Sequence, residues 1–310
     1  AIRRPDGYCG KPPELGTDVF AMDLAGQNTA RPTWQSSMSV VDMGIIRTIA
    51  SSHSWMTSAR LIQGTRVKTD SSDADSSYDL YAFDYSEGWG DYSGSDYMSW
   101  MWKRHAGFDV VCWEGQNIQP GVIPHSLGKV PEMMWLKNRS GGGDWEVYHK
   151  GLNGGSSPET YSIKLNESDA EGNISRWYST VPTSTHFTVT KNYFNASNTD
   201  YIALLFASTD VSAVGSYTGN GSTTGPVITT GFAPRLIMIK RSSGDGDWYI
   251  LDTVRGLTSS SNKLLKLNDD DAQSTPSEVY VEPSSTGFQL KVGYLHYNSN
   301  NEKYIYYAHA

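Results

Sequence analysis

Ser243–Leu257 reads SGDGDWYILDTVRGL, and this stretch decides how the rest of the chain is read. An acidic, glycine-rich turn runs into Trp248, a β-prone run follows, and Asp252 and Arg255 close it. Alone, it has the make-up of a small active site or a sugar-binding loop. Gly141–Leu152, GGGDWEVYHKGL, has the same order of turn, aspartate, tryptophan and β-prone run. Two copies turn a question of chemistry into one of architecture, because internal repetition constrains a fold before any motif does.

The repetition extends well beyond the turn. With Gly128 laid on Gly231, Pro131 meets Pro234, Lys137 meets Lys240, Asp144 meets Asp247 and Trp145 meets Trp248. Small shifts bring KLNESDA (Lys164–Ala170) onto KLNDDDA (Lys266–Ala272) and Phe187 onto Phe288. Asn195 then meets Asn298, and Tyr201 meets Tyr304. A more divergent copy lies upstream, with VDMGIIRTI (Val41–Ile49), Trp55, KTDSSDA (Lys68–Ala74) and YMSWMWK (Tyr97–Lys103) in the same order. Ser54 stands there in place of the aspartate. The expected organisation is a linker over 1–16 and three units over 17–105, 106–211 and 212–310.

Each unit reads as antiparallel β. Runs such as IIRTI, MMWLK, LIMIK, WYILD and YIALLFA alternate with Gly/Ser/Asn turns, and helical periodicity is nearly absent. A short helix is expected at Asn166–Ala170 and Asn268–Ala272, with the asparagine as N-cap. The fold class is all-β: three tandem antiparallel β-sandwich or jelly-roll-like units of about 100 residues. Units this large read as beads on a string rather than as a thin solenoid.

Composition narrows the partners. The net charge is −8 and charged residues make up only 19%, so nucleic acid and anionic membrane surfaces are disfavoured. No apolar run approaches 18 residues. The 19 Tyr and 10 Trp supply bulk for large cores. Ala1–Gly16 carries no apolar signal region and reads as mid-chain. Cys9 and Cys112 belong to no CxxC; they read either as a disulfide or, more simply, as two separate thiols.

The candidate sites have competing readings. Asp144–Trp145 and Asp247–Trp248 suit a sugar platform, but a residue recurring in the same slot, as Trp55 does, is explained more simply by a shared folding need. Arg60, Lys150 and Arg255 read as anion anchors or, more simply, as ion pairs and stems over aromatics. Asp269, Asp270 and Asp271 cluster oxygens as calcium ligands do, but lack the EF-hand glycine and glutamate. Phe83–Tyr97, FDYSEGWGDYSGSDY, is not shared between units. Its Tyr85, Glu87, Trp89, Asp91 and Tyr92 form the candidate ligand-binding loop, with a hairpin packed on the next unit as the alternative. Val292–Tyr304, VGYLHYNSNNEKY, is a lesser candidate of the same kind. No GxSxG, HExxH, P-loop or Rossmann glycine pattern is present, so no catalytic residue and no cofactor is expected.

Taken together, the stretch VGSYTGNGSTTGPVITTGFAPRLIMIKRSSGDGDWYILDTVRG, the later STGFQLK and NEKYIYYAHA, and their counterparts GVIPHSLGKVPEMMWLKNRSGGGDWEVYHKGL and YIALLFAS resemble a repeat domain of marine bacteriophage virion proteins. KPPELGTDVFAMD, VDMGIIR and YMSWMWKR extend the resemblance to the first unit. It implies a virion structural protein, tail-associated or fibre-like, on the exterior of the particle, and carries over no site residue. The expectation is a tail fibre or host-recognition appendage, a homotrimer touching other virion proteins and a host glycan. A capsid decoration protein and a polysaccharide depolymerase are the alternatives.

Overall fold

The computed structural model describes residues 15–25, 31–38, 40–91, 96–294 and 296–310. Fifteen principal strands carry the fold. The first set is β1 (Phe20–Ala25), β2 (Met43–Thr48), β3 (Met56–Ala59), β4 (Thr65–Lys68) and β5 (Tyr97–Trp102). The second is β6 (Phe108–Glu114), β7 (Met133–Asn138), β8 (Glu146–His149), β9 (Ile163–Lys164) and β10 (Asp200–Phe206). The third is β11 (Ser212–Thr218), β12 (Leu236–Arg241), β13 (Trp248–Asp252), β14 (Leu265–Lys266) and β15 (Lys303–His309).

Each set forms one antiparallel sheet with the same order: first, last, second, third, fourth. Ser76–Ser77 adds a sixth strand beside β4. The register is equivalent as well, with Met43 opposite Trp102, Met133 opposite Phe206 and Leu236 opposite His309. The chain is all-β; among the described residues the one α-helical turn is Lys191–Phe194.

Alternation along the strands assigns the faces. Met43 and Ile45, Met133 and Trp135, and Leu236 and Met238 join Trp100, Leu204 and Tyr307 in a single apolar cluster fed by all three sheets. The opposite face of each sheet carries its own cluster: Ile46 with Trp89, Leu136 with Phe187, and Ile239 with Phe288. Small strand pairs cover those outer faces, Trp34–Gln35 with Gly88–Trp89, Gly121–Pro124 with His186–Val189, and Val227–Thr229 with Gly287–Leu290. A sheet covered on both sides needs apolar residues at consecutive positions. That is why the sequence shows runs such as LIMIK and YIALLFA rather than strict alternation.

The shared central cluster differs from the beads-on-a-string expectation. The three sheets bury their inner faces against one another, so each third shares its central core with the other two and keeps only its outer cluster to itself. The short helix expected at Asn166–Ala170 and Asn268–Ala272 is also absent; these residues form turns and extended loop. Their asparagines cap a strand instead, because Asn166 Oδ1 accepts the Trp145 backbone N–H at 2.8 Å and Asn268 Oδ1 accepts that of Trp248 at 2.7 Å.

Candidate functional site

The repeated tryptophan sits at the start of the third strand and is buried in every copy. Its indole N–H always donates to the neighbouring set. Trp145 donates to the Lys68 carbonyl at 2.6 Å, Trp248 to the Lys164 carbonyl at 2.8 Å, and Trp55 to the Lys266 carbonyl at 2.6 Å. The second set thus reaches the first, the third reaches the second, and the first reaches the third, closing a ring. The glycine-rich turn makes the approach feasible. Gly142 and Gly143 adopt φ of 73° and 110°, a Cβ on Gly142 would lie 2.8 Å from the Ser72 carbonyl, and Gly143 N–H donates to that carbonyl at 2.7 Å.

A buried cation on the adjacent strand seals each junction. Arg47, Lys137 and Lys240 occupy the same register on the inner faces and are each fully buried. Lys137 donates to the carbonyls of Gly143 at 2.5 Å and Ser71 at 3.3 Å. Lys240 donates to Ser168 O at 2.8 Å and to Gly246 O, and Arg47 to Asp269 O at 2.8 Å and to Asp271 O. Burial pulls both ammonium groups down to about 8, with nearby aspartates opposing it. Asp144 accepts from Asn166 at 2.9 Å and pairs with Lys164 at 3.0 Å; Asp247 accepts from Asn268 at 2.9 Å and pairs with Lys266 at 3.3 Å. In the first set the acid and its partner exchange places. Ser54 stands where the aspartate is, and Asp70, in the asparagine slot, accepts the Trp55 backbone N–H at 3.1 Å. These residues therefore hold the ring together and leave no indole face for a sugar.

Arg60, Lys150 and Arg255 form ion pairs, with Asp42 at 3.4 Å, Glu132 at 2.7 Å and Asp252 at 2.5 Å. The last pair is buried, and Trp100 of the first set donates to the same carboxylate at 3.1 Å. Asp269, Asp270 and Asp271 do bring carboxylate oxygens together. The ammonium of Lys266 already lies 3.2 Å from Asp269 and 3.6 Å from Asp271. Cys112 is half-buried, and burial raises its thiol to about 11; Cys9 lies outside the described residues.

The candidate loop is corrected at its centre. Trp89 is fully buried: it stacks on Phe83 at 4.8 Å, donates to Ser99 at 3.0 Å and lies over Gly44, where any Cβ would collide with the indole. Apolar area on this scale leaves water at the first opportunity, so Trp89 is core. Tyr85 donates to the Asp91 carboxylate, and Arg31 pairs with Asp91 at 2.9 Å. Tyr92 lies outside the described residues. Of the five, Glu87 remains fully open to solvent. It borders a shallow bowl of about 630 Å³ lined also by Gln35, Ser36, Ser37 and Ser86. Hydroxyls, an amide and a carboxylate suit a polyhydroxylated ligand. A second concavity, of about 320 Å³, lies between β6 and Gly121–Pro124, with Cys112, Trp113, Ile118 and Val122 in its wall. Sequence reading missed both, because their walls come from segments that only folding brings together.

A family model described as "Domain of unknown function (DUF7483)" matches residues 33–310. No curated protein matches the chain.

Proposed function

We propose that this chain, which belongs to the DUF7483 family, is a surface-recognition module of a virion appendage that works by binding rather than catalysis. The three sheets are read as the three tandem units of the sequence, at 17–105, 106–211 and 212–310, each a sandwich-like unit with its own outer layer. One observation carries the reading: the repeated tryptophans and the buried cations are spent on closing the ring, and each sheet is left with a separate outer layer of its own make-up. A rigid body with three different outward faces suits contacts to a host glycan and to other virion proteins. Many copies on one particle would turn weak contacts into avidity. The inner faces are already buried within one chain, so a homotrimer would form through outer faces or the ends of the ring.

The test combines two measurements on the full chain. Gold-labelled antibody imaging of virions should place it on an external appendage, and the purified chain should bind host cells. Periodate oxidation of the cell surface should abolish that binding. Label confined to the capsid shell turns the reading to decoration, and periodate-resistant binding removes the glycan. Release of reducing ends from host polysaccharide would turn it to a depolymerase.

A further inference from the structure

The outer layer of the third unit carries an aromatic face in which one ring is exposed and others lie half-buried or buried beneath it. Tyr294 is 40% exposed, Tyr280 and His296 are half-buried, and Tyr249 and Tyr297 lie beneath them. Tyr280 meets Tyr294 edge-on at 5.6 Å and Tyr297 at 5.1 Å; Tyr249 meets Tyr297 at 4.8 Å and His296 at 5.5 Å. Carboxylates rim the face. Glu278 accepts from Tyr294 at 3.1 Å, and Asp247 from Tyr249 at 3.3 Å.

Two buried polar atoms here have no hydrogen-bond partner, the Tyr297 hydroxyl and His296 Nδ1. The sister unit shows that the fold does not ask for that hydroxyl. Asn195 and Asn298 play the same part, accepting the Gln116 N–H at 3.0 Å and the Asn220 N–H at 2.9 Å. The residue before them is Phe194 in one unit and Tyr297 in the other, and both rings are buried. Phenylalanine therefore fills the slot, and the extra hydroxyl stays buried without a partner, a net cost to folding. The second unit also closes its equivalent face with charge: Arg176 covers Tyr193 at 3.7 Å and binds Glu146 at 2.8 Å. In the third unit Tyr249 takes the register of Glu146, and rings alone form the surface.

We propose that Tyr280, Tyr294 and His296, with the Tyr297 hydroxyl beneath them, form a binding site for an uncharged saccharide. The aromatic face receives the C–H side of a pyranose. Glu278 accepts sugar hydroxyls, and a bound saccharide supplies the partners that the Tyr297 hydroxyl and His296 Nδ1 lack. Asp247, Asp269 and Glu278 outnumber Lys266 and Arg241 around the face, which disfavours anionic sugars. This rests on the recognition reading and gives it a ligand class.

The test titrates the full chain with glucose, galactose, mannose and N-acetylglucosamine oligosaccharides, and with heparin as the anionic arm, by ligand-observed NMR. At least one neutral series should bind. Tyr294→Ala should weaken it by about tenfold or more, and Tyr297→Phe by roughly three- to tenfold. Tyr297→Phe should leave the melting temperature unchanged or raise it, which separates lost binding from lost fold. Binding by heparin alone, by no sugar, or with equal affinity in both variants overturns the site. Host-cell binding that persists in Tyr294→Ala also overturns it while leaving the recognition reading intact; loss of cell binding by the unaltered chain sinks that reading itself.

Discussion

Trp145 joins two units through a single nitrogen, and the chemistry of that contact sets its worth. The indole N–H meets the partly buried Lys68 carbonyl at 2.6 Å, and the ring itself is fully buried. Trp145→Phe should keep most of the packing and cost about 1–3 kcal/mol; Trp145→Ala should cost about 3–5 kcal/mol, because a cavity is added. Urea denaturation of both variants checks the difference, and equal losses would assign the whole effect to packing. The titrating residues give two pH windows. His149 and His309 are fully buried with pKa values of about 4. The unfolded chain takes up their protons near 6.5 and the folded chain does not, so stability should fall as pH drops from about 6.5 to 4. Burial, which disfavours the charged ring, is the main cause for both, and His149 Nδ1 also accepts the Gly151 N–H at 2.9 Å, which it cannot do once protonated. Lys137 and Lys240, at about 8, act in the opposite window. Between about pH 8 and 10 the unfolded chain holds protons that the folded chain has released, so stability should rise with pH there. Above that, buried Tyr297 and Tyr307, whose pKa values burial raises, reverse the trend. Urea midpoints across pH, repeated with Lys137→Met and Lys240→Met, should show the rise flatten in the double variant.

At the scale of elements, the junction between the third and first units is built differently from the others. Where the third unit has Asp252 and Arg255, the sister units have Ala59 with Ile62 and His149 with Leu152. Removing one member of a buried ion pair strands the other, so Asp252→Ala or Arg255→Leu alone should cost about 3–5 kcal/mol. The double variant should recover much of that loss, and a chemical-denaturation cycle over the four proteins reads the coupling. Additive losses would mean that the two charges do not depend on each other. The repeated signatures and the tryptophan slot were legible because both recur at near-constant spacing. The burial of Trp89 was not. A loop rich in Tyr, Trp, Asp and Gly reads as exposed, and only the vacancy over Gly44 draws its indole inward. The asparagines of KLN were misread for a related reason. Asparagine satisfies a strand's first N–H as readily as a helix's, and the sequence does not say which partner folding supplies.

For the molecule as a whole, a core shared by three sheets implies one cooperative unfolding transition, despite 310 residues. Scanning calorimetry should give one peak with a calorimetric to van't Hoff enthalpy ratio near 1. Two or three resolved transitions would mean that the units hold their cores separately.

The all-β class and the order of the repeated signatures were readable from the chain alone. Local patterning and self-similarity are written along the chain, and proximity in sequence or register was enough to read them. Folding alone brings the three sheets together and bonds Trp55, Trp145 and Trp248 each to a neighbouring sheet. Those outcomes depend on which faces meet across roughly 80 to 210 residues of chain. A linear pattern tells how much apolar surface must be buried, but not against what.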